Sequence, residues 1–324
     1  MELNPNLGEN LQEVSQPAEP VVIPEVNTTP ETIVQPQTVI PEEPLADDGK
    51  IMGLSQEEIN DPNAIVVTIA DRTNPIVVLF GPPACGKTMT LIRLTRWLRS
   101  QGYTVEPVNS FRPASDTHYA KMCHDFSAMI GSNDAANSTK NISFMLVRVL
   151  DRTGRVICQI LEAPGEYYYN PNDPEEPNVP FPQYISHIKS TSNRKIWCYM
   201  VEPNWSGRDQ SRNYVTKIHN LKKSMRVADK HIFIFNKIDL TPFVQGPGQV
   251  NMRDARKEVD DLYHGIFVPF RTKNILFGYS DNFTLVPFQT GDYSRRIAGG
   301  YTFTEGPDEY PRNLWNTIMK YVKG

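Results

Sequence analysis

The octapeptide Gly81-Pro-Pro-Ala-Cys-Gly-Lys-Thr88 lies between an apolar, β-branched run, Pro75–Phe80, and a helical pattern from Lys87 to about Ser100. A strand that turns through a glycine loop into a helix leaves the first helical N–H groups without intrahelical partners, a geometry that suits an anion. The two glycines let the backbone turn toward phosphate. Lys87 is placed to reach β- and γ-phosphate oxygens, and the Thr88 hydroxyl to bind Mg²⁺. Gly81, Ala84, Cys85, Gly86, Lys87, Thr88 and Met89 are therefore the expected phosphate-binding residues. Pro82 and Pro83 remove two donors but stiffen the loop. In the helix, Leu91, Leu94 and Leu98 form an inner stripe, and Arg93, Arg96 and Arg99 are expected to point outward.

The rest of the pattern supplies a sheet. Ala64–Ile69, Tyr103–Asn109, Ile196–Val201, His231–Phe235 and Thr284–Pro287 read as strands, and Ile142–Leu150 with Arg155–Leu161 as a hairpin. Helices are expected over Asp116–Ile130, near 208–227 and 251–264, and from Tyr310, where Leu314, Trp315, Ile318, Met319 and Val322 share a face. This alternation predicts an α/β fold of three layers. Its sheet is mostly parallel and flanked by helices, with the hairpin supplying one antiparallel edge. The polar stretches 131–140 and 169–180 read as loops, the second a mobile one.

Composition divides the chain unevenly. Residues 1–62 hold 13 acidic residues against Lys50 alone, nine prolines and no Phe, Tyr or Trp. Such a segment buries too little to offset chain entropy, so a disordered acidic arm is expected ahead of a net basic domain over 63–324. That domain shows no basic stripe interleaved with aromatics, so nucleic-acid binding is not indicated. The four cysteines form no CxxC pair and the six histidines no cluster, which argues against zinc and against a disulfide framework. No run of about 18 apolar residues exists to span a bilayer. The opening MELNPNLGEN lacks signal-peptide character, and a cytoplasmic protein is expected.

Two further segments refine the chemistry. Asn236-Lys-Ile-Asp239 follows the apolar run HIFIF. A carboxylate at Asp239 can accept from both N1–H and the exocyclic amine of guanine, which adenine does not present together; a buried acceptor left unpaired against adenine gives strong discrimination. Lys237 is expected along the base plane, and Asn236 to tie this loop to the phosphate loop. Glu162-Ala-Pro-Gly165 ends the second hairpin strand. There a carboxylate can hold Mg²⁺ through water, and the Gly165 N–H can meet a γ-phosphate only while that phosphate is present. Cys85 lies near a helix N-terminus, which can lower a thiol pKa, but it is read first as a small residue filling a tight loop. Tyr167, Tyr168 and Tyr169 either form an exposed, partner-reading patch or pack over the hairpin.

The order and spacing of these segments resemble the Ras-like P-loop GTPases of the TRAFAC class over roughly residues 75–324, with polar insertions reminiscent of the double-GTPase (DO-GTPase) type. The resemblance implies a P-loop NTPase fold with insertions near 103–140 and 166–192, and GTP or GDP with Mg²⁺ as ligands. By it, Lys87 and Thr88 serve phosphate and metal, and Asn236, Lys237 and Asp239 read the base. Gln289-Thr290-Gly291 falls where the family's last guanine-contacting loop begins, without its usual Ser-Ala, so Thr290 and Gly291 are expected there. Glu162 stands where the family has Asp, and Glu166 where many relatives place a water-orienting Gln. Thr139, with Thr117 second, is the candidate switch threonine and metal ligand; Arg112 is a conceivable in-chain catalytic arginine. A GTP-hydrolysing switch read by a protein partner through segments 110–140 and 166–192 is expected. The alternatives are a nucleotide-stabilised scaffold with little hydrolysis, and an ATPase or kinase on the same loop.

Overall fold

Continuous apolar runs become the middle of one sheet because both of its faces are covered. The computed structural model describes residues 54–131, 144–170, 173, 175–203, 208–274, 278–295 and 301–324. Seven strands pair in the order β11-β6-β5-β1-β4-β3-β2. They are β1 (Ile76–Phe80), β2 (Thr104–Pro107), β3 (Met145–Leu150), β4 (Val156–Glu162), β5 (Lys195–Val201), β6 (Lys230–Phe235) and β11 (Thr284–Pro287). β1 is parallel to β4, with Ile76 opposite Gln159, and to β5, with Ile76 opposite Lys195. β5–β6 and β6–β11 continue the parallel pairing; β3 is antiparallel to both β4 and β2. The antiparallel pairing thus lies at one margin of the sheet, as expected, with β2 as the outermost strand. This is the three-layer P-loop NTPase architecture.

Helices close both faces. On one, α2 (Lys87–Ser100) packs with α3 (Thr117–Gly131) and with the last helix, α8 (Glu309–Lys323), which buries Leu314, Trp315 and Ile318. On the other, the Phe80 ring stacks on Tyr214 of α6 (Arg208–Lys223) at 6.2 Å between centroids, and Tyr214 meets Tyr263 just past α7 (Met252–Leu262). Parallel strands need long crossovers, so β1, β4, β5 and β6 all run the same way and end on one edge. The order reverses at β1: the chain fills one side of it and then the other, leaving a crevice at the carboxyl ends of the strands. The loops that follow β1, β4, β5 and β6 open there.

Several expectations change. Ala64–Ile69 alternates as a strand should, with Ile65, Val67 and Ile69 buried and Val66 59% exposed, but it joins no ladder. It is an extended segment tied by the Thr68 N–H to the Phe111 carbonyl at 2.8 Å. Residues 54–62, assigned above to the arm, are described and include α1 (Gln56–Asn60), closed by a Ser55/Glu58 capping box. The arm expected upstream lies outside the described residues. Arg93 does not face solvent; its side chain is 1% exposed and paired with Glu305 and Asp308. Around the loop expected at 169–180 lie two helices that were not expected, the single turn α4 (Gly165–Tyr168) and α5 (Gln183–Ser190), whose Tyr184, Ile185 and Ile188 are buried at helical spacing. Three hairpins were not expected: β7–β8 (Val244–Gly246 and Gln249–Val250), β9–β10 (Arg271–Asn274 and Gly278–Asp281) and β12–β13 (Gly291–Arg295 and Tyr301–Glu305). Among the described residues, no helix is long and apolar enough to cross a membrane.

Arg112 is also reassigned. Its guanidinium is buried, bonds Asp116 Oδ2 at 2.9 Å and the Val66 carbonyl at 2.6 Å, and pairs with Glu58 of α1. It clamps the first ordered segment to the body and has no reach to spare for a catalytic role. Removing one partner from a buried ion-pair group leaves uncompensated charge. Arg112→Met is therefore expected to cost about 3 kcal/mol in urea unfolding with the slope unchanged. A loss below about 0.5 kcal/mol, the size of an ordinary surface substitution, would contradict the clamp.

Candidate functional site

The loop after β1 is shaped by two glycines that tolerate no side chain. A Cβ on Gly86 (φ 89°) would lie 2.2 Å from the Asn236 amide nitrogen, and one on Gly81 would lie 2.7 Å from Cys85 Sγ. Between them Ala84 takes φ 60°, a left-handed conformation that a non-glycine residue adopts only when its surroundings impose it. The Asn236 amide donates to the Cys85 carbonyl at 3.0 Å, so the loop after β6 is clasped to the loop after β1 as the sequence suggested. Lys87 curls back beneath its own loop, its ammonium donating to the Gly81 carbonyl at 3.1 Å and the Pro82 carbonyl at 2.8 Å. Met89 is buried in the core, so it can serve this loop only through its backbone.

Thr88 and Glu162 meet directly. The Thr88 hydroxyl donates to Glu162 Oε1 at 2.8 Å, joining the first turn of α2 to the last residue of β4. A hydroxyl beside a buried carboxylate is a hard-oxygen pair that fits Mg²⁺, which takes few protein ligands and completes its shell with water and phosphate. No cluster of three or more His, Cys, Asp or Glu suited to a metal occurs among the described residues. Thr139 lies outside the described residues, as does the side chain of Glu166. Thr117 is the first residue of α3.

The segment after Glu162 rests on the proline pair. A Cβ on Gly165 would lie 2.4 Å from the Pro82 carbonyl carbon and the Pro83 nitrogen, so only glycine permits this approach. The three tyrosines do not form an exposed patch. Tyr168 packs on Phe80 at 4.8 Å between centroids, the Tyr169 hydroxyl donates to the Gln210 carbonyl at 2.6 Å, and that of Tyr167 reaches the Glu58 and Ile59 carbonyls at 3.4 Å. Sequence reasoning could not see these partners, since α1 and α6 are far away along the chain.

At the other end of the crevice, Lys237 takes φ 55° and its ammonium pairs with Glu202, the residue that leaves β5. Glu202 is itself fixed: its N–H donates to the Tyr263 hydroxyl, which donates to the Glu202 carbonyl, both at 3.0 Å. Glu202 was missed, although the first residue past a parallel strand is where this fold class places ligand-facing groups. Asp239 opens toward solvent in the short 3₁₀ turn Ile238–Leu240, which hangs from Phe288 by a 3.2 Å backbone bond. Loss of solvation and the nearby Asp292 raise its carboxyl above the usual value, against the pull of Lys237. Gln289 and Thr290 are buried, and Gly291 (φ 153°) begins β12. A separate cavity of about 910 Å³, lined by Glu106, Asn109, Arg112, Asp116 and Arg148 among others, contains none of these motif residues.

No known family profile matches the chain, and no curated protein matches it in sequence. Solved structures do resemble it. The chloroplast translocon components atToc33 and psToc159 give 10% identity over 78% of this chain and 84% of theirs, with a TM-score of 0.39. The S. cerevisiae Ski7 GTPase-like domain bound to GTP gives 12% over 78% and 51%, with 0.36. Methanosarcina barkeri Roco2 bound to GDP gives 12% over 80% and 52%, with 0.31. The chain spans about half the length of the latter two. Likeness at this level leaves the chemistry of the site to its own residues.

Cys85 is not an activated thiol. Burial pushes its pKa up to about 11, outweighing the Lys87 ammonium, with the Glu202 and Glu162 carboxylates adding to the rise. The other three cysteines are also free and buried. Native protein at pH 8 is expected to resist a thiol reagent and to titrate all four cysteines only once unfolded. Fast labelling of Cys85 in the folded protein would contradict this.

Proposed function

We propose that this chain binds guanine nucleotide with Mg²⁺ and hydrolyses GTP as a switch. The observation that carries the reading is the Asn236–Cys85 bond, which clasps a base-reading loop to a phosphate loop in one crevice. In this reading the backbone of Gly81, Ala84, Cys85, Gly86, Lys87, Thr88 and Met89 wraps the phosphates. Lys87 trades two carbonyl partners for phosphate oxygens, a charge-assisted exchange that favours the bound state. Thr88 and Glu162 hold Mg²⁺, which supplies charge neutralisation on the phosphates. Asn236 holds the two loops together, Lys237 braced by Glu202 flanks the base, Asp239 accepts from it, and Thr290 and Gly291 line its far side. Gly165 reports the γ-phosphate through its N–H, which requires it to lift from the proline pair. Glu166 orients the attacking water, with Lys87 stabilising the charge that develops.

A second reading, a nucleotide-stabilised interaction module, is favoured by one finding: Arg112 is committed to Glu58 and Asp116. Without an arginine at the γ-phosphate, turnover depends on a partner that reads the segments 110–140 and 166–192. The Ras-like reading covers the whole site; the narrower double-GTPase assignment rests on the layout of the insertions alone.

Single-turnover phosphate release with protein in excess separates the two readings. Release above the uncatalysed rate, abolished in Lys87→Ala, is expected of the switch; binding without release supports the module. Asp239→Asn is expected to weaken GDP by at least about 100-fold, because a site built to pair a polar group loses it. ATP competing equally with GTP would overturn the base assignment. Only the ionised Asp239 accepts from both guanine donors, so GDP affinity is expected to fall as pH drops, with a midpoint above the ordinary aspartate value. Asp292→Asn should move that midpoint down.

A further inference from the structure

Arg93 lies about two turns beyond the phosphate loop on α2, and its side chain is only 1% exposed. Its guanidinium makes three bonds: to Glu305 Oε2 at 2.7 Å, to the Gly306 carbonyl at 2.8 Å and to Asp308 Oδ1 at 2.6 Å. All three acceptors belong to the return of the β12–β13 hairpin into α8. Arg96, about one turn further along α2, repeats the contact to Glu305 Oε1 at 3.0 Å and lies 5.4 Å from the centre of the Phe303 ring.

The same few atoms hold the loop Gln289–Gly291. The Gly306 N–H donates to the Thr290 carbonyl at 3.4 Å. A Cβ on Gly306 would lie 3.2 Å from the Gln289 amide carbon, so that side chain packs on Gly306. Gly291 lies flat on β13: a Cβ there would lie 2.2 Å from the Thr304 carbonyl and 2.7 Å from the Phe303 ring. The next residue, Asp292, is near enough to Asp239 to act on its carboxylate. The base side of the crevice is therefore fastened, through the end of one hairpin, to the helix whose first turn carries Lys87 and Thr88. A buried guanidinium needs close anionic partners to be tolerated, and here the planar fork serves three acceptors through its two terminal nitrogens, while Nε is buried without a partner.

We infer that Arg93 is a positioning residue for base recognition, holding Thr290 and Gly291 against the nucleotide from a helix that it shares with the phosphate site. The inference rests on the guanine-nucleotide reading above. A purely structural Arg93 would affect every ligand alike, whereas a positioning role acts on the base and spares the phosphates.

The test uses the full chain as wild type, as Arg93→Lys and as the double variant Glu305→Gln/Asp308→Asn. Affinities are measured for GDP, for inosine diphosphate, which lacks the exocyclic amine, and for inorganic tripolyphosphate, which has no base. The double variant keeps Arg93 and puts neutral acceptors in place of side chains that are 37% and 53% exposed, and urea unfolding of each variant checks that it is folded under the binding conditions. In both variants GDP affinity is expected to fall about tenfold, the preference for GDP over inosine diphosphate to narrow by a similar factor, and tripolyphosphate to stay within about twofold. A parallel loss of tripolyphosphate, or an unchanged base preference, would overturn the inference while leaving the site reading intact. A wild-type chain that binds GDP no better than tripolyphosphate would instead overturn the guanine reading, and this inference with it.

Discussion

The structure depends on β1 being paired on both sides with parallel strands. Every residue of β1 is buried, and β4 and β5 flank it in matched register from Ile76 onward. Parallel pairing forces each strand to finish at the same edge, so Gly81, Ala163, Glu202 and Asn236 emerge together although they are far apart in the chain. The reversal of strand order at β1 then keeps a crevice open between the loops. The clasped loops after β1 and β6 and the Thr88–Glu162 pair, to which the proposed function assigns phosphate, base and metal, are consequences of that single pairing. None of them is stable as an isolated segment, because short loops cannot offset their own ordering entropy.

Buried cations tie the remaining pieces to this core. Arg93 fastens the β12–β13 hairpin, Arg112 the first ordered helix, and Lys195 the amino ends of the strands. The Lys195 ammonium donates to the Thr191 carbonyl at 2.6 Å, the Asn193 carbonyl at 2.8 Å and the Thr191 hydroxyl at 3.0 Å. Burial and the neighbouring Arg226 lower its pKa to about 8 against the pull of Asp229. A buried cation is costly without close acceptors, so each one demands a defined arrangement of them from distant segments. Greasy residues in the same places would stabilise the packing without dictating which loop goes where. These three residues fix the relation of peripheral elements to the site.

Much of the fold was legible because local periodicity and burial agreed. Thr284–Pro287 is a strand with the bounds the pattern suggested, and the 142–161 hairpin turns at Asp151–Gly154 as its residues require. Ala64–Ile69 shows where that logic stops: period two reports one buried face, and says nothing of whether a neighbouring strand is there to pair with. The hairpin strands between 244 and 305, two to five residues long, were missed for the converse reason. Their residues are too polar or too few to print an alternation, and they exist because the core already holds their ends.

For the site, sequence alone determined which residue types stand next to a phosphate loop and a base-reading loop, because those are local matters of backbone freedom and functional-group chemistry. Gly81 and Gly86, Lys87 with Thr88, and Asn236 with Asp239 were all apparent on that basis. Tertiary structure decided which charges are spent inside the protein. Arg112 looked available and is committed to Glu58, Arg93 looked solvated and grips a hairpin 212 residues away, and the pull of a helix N-terminus on Cys85 is outweighed by burial. Charge and burial are set by neighbours from everywhere in the chain, and a local pattern carries no record of them.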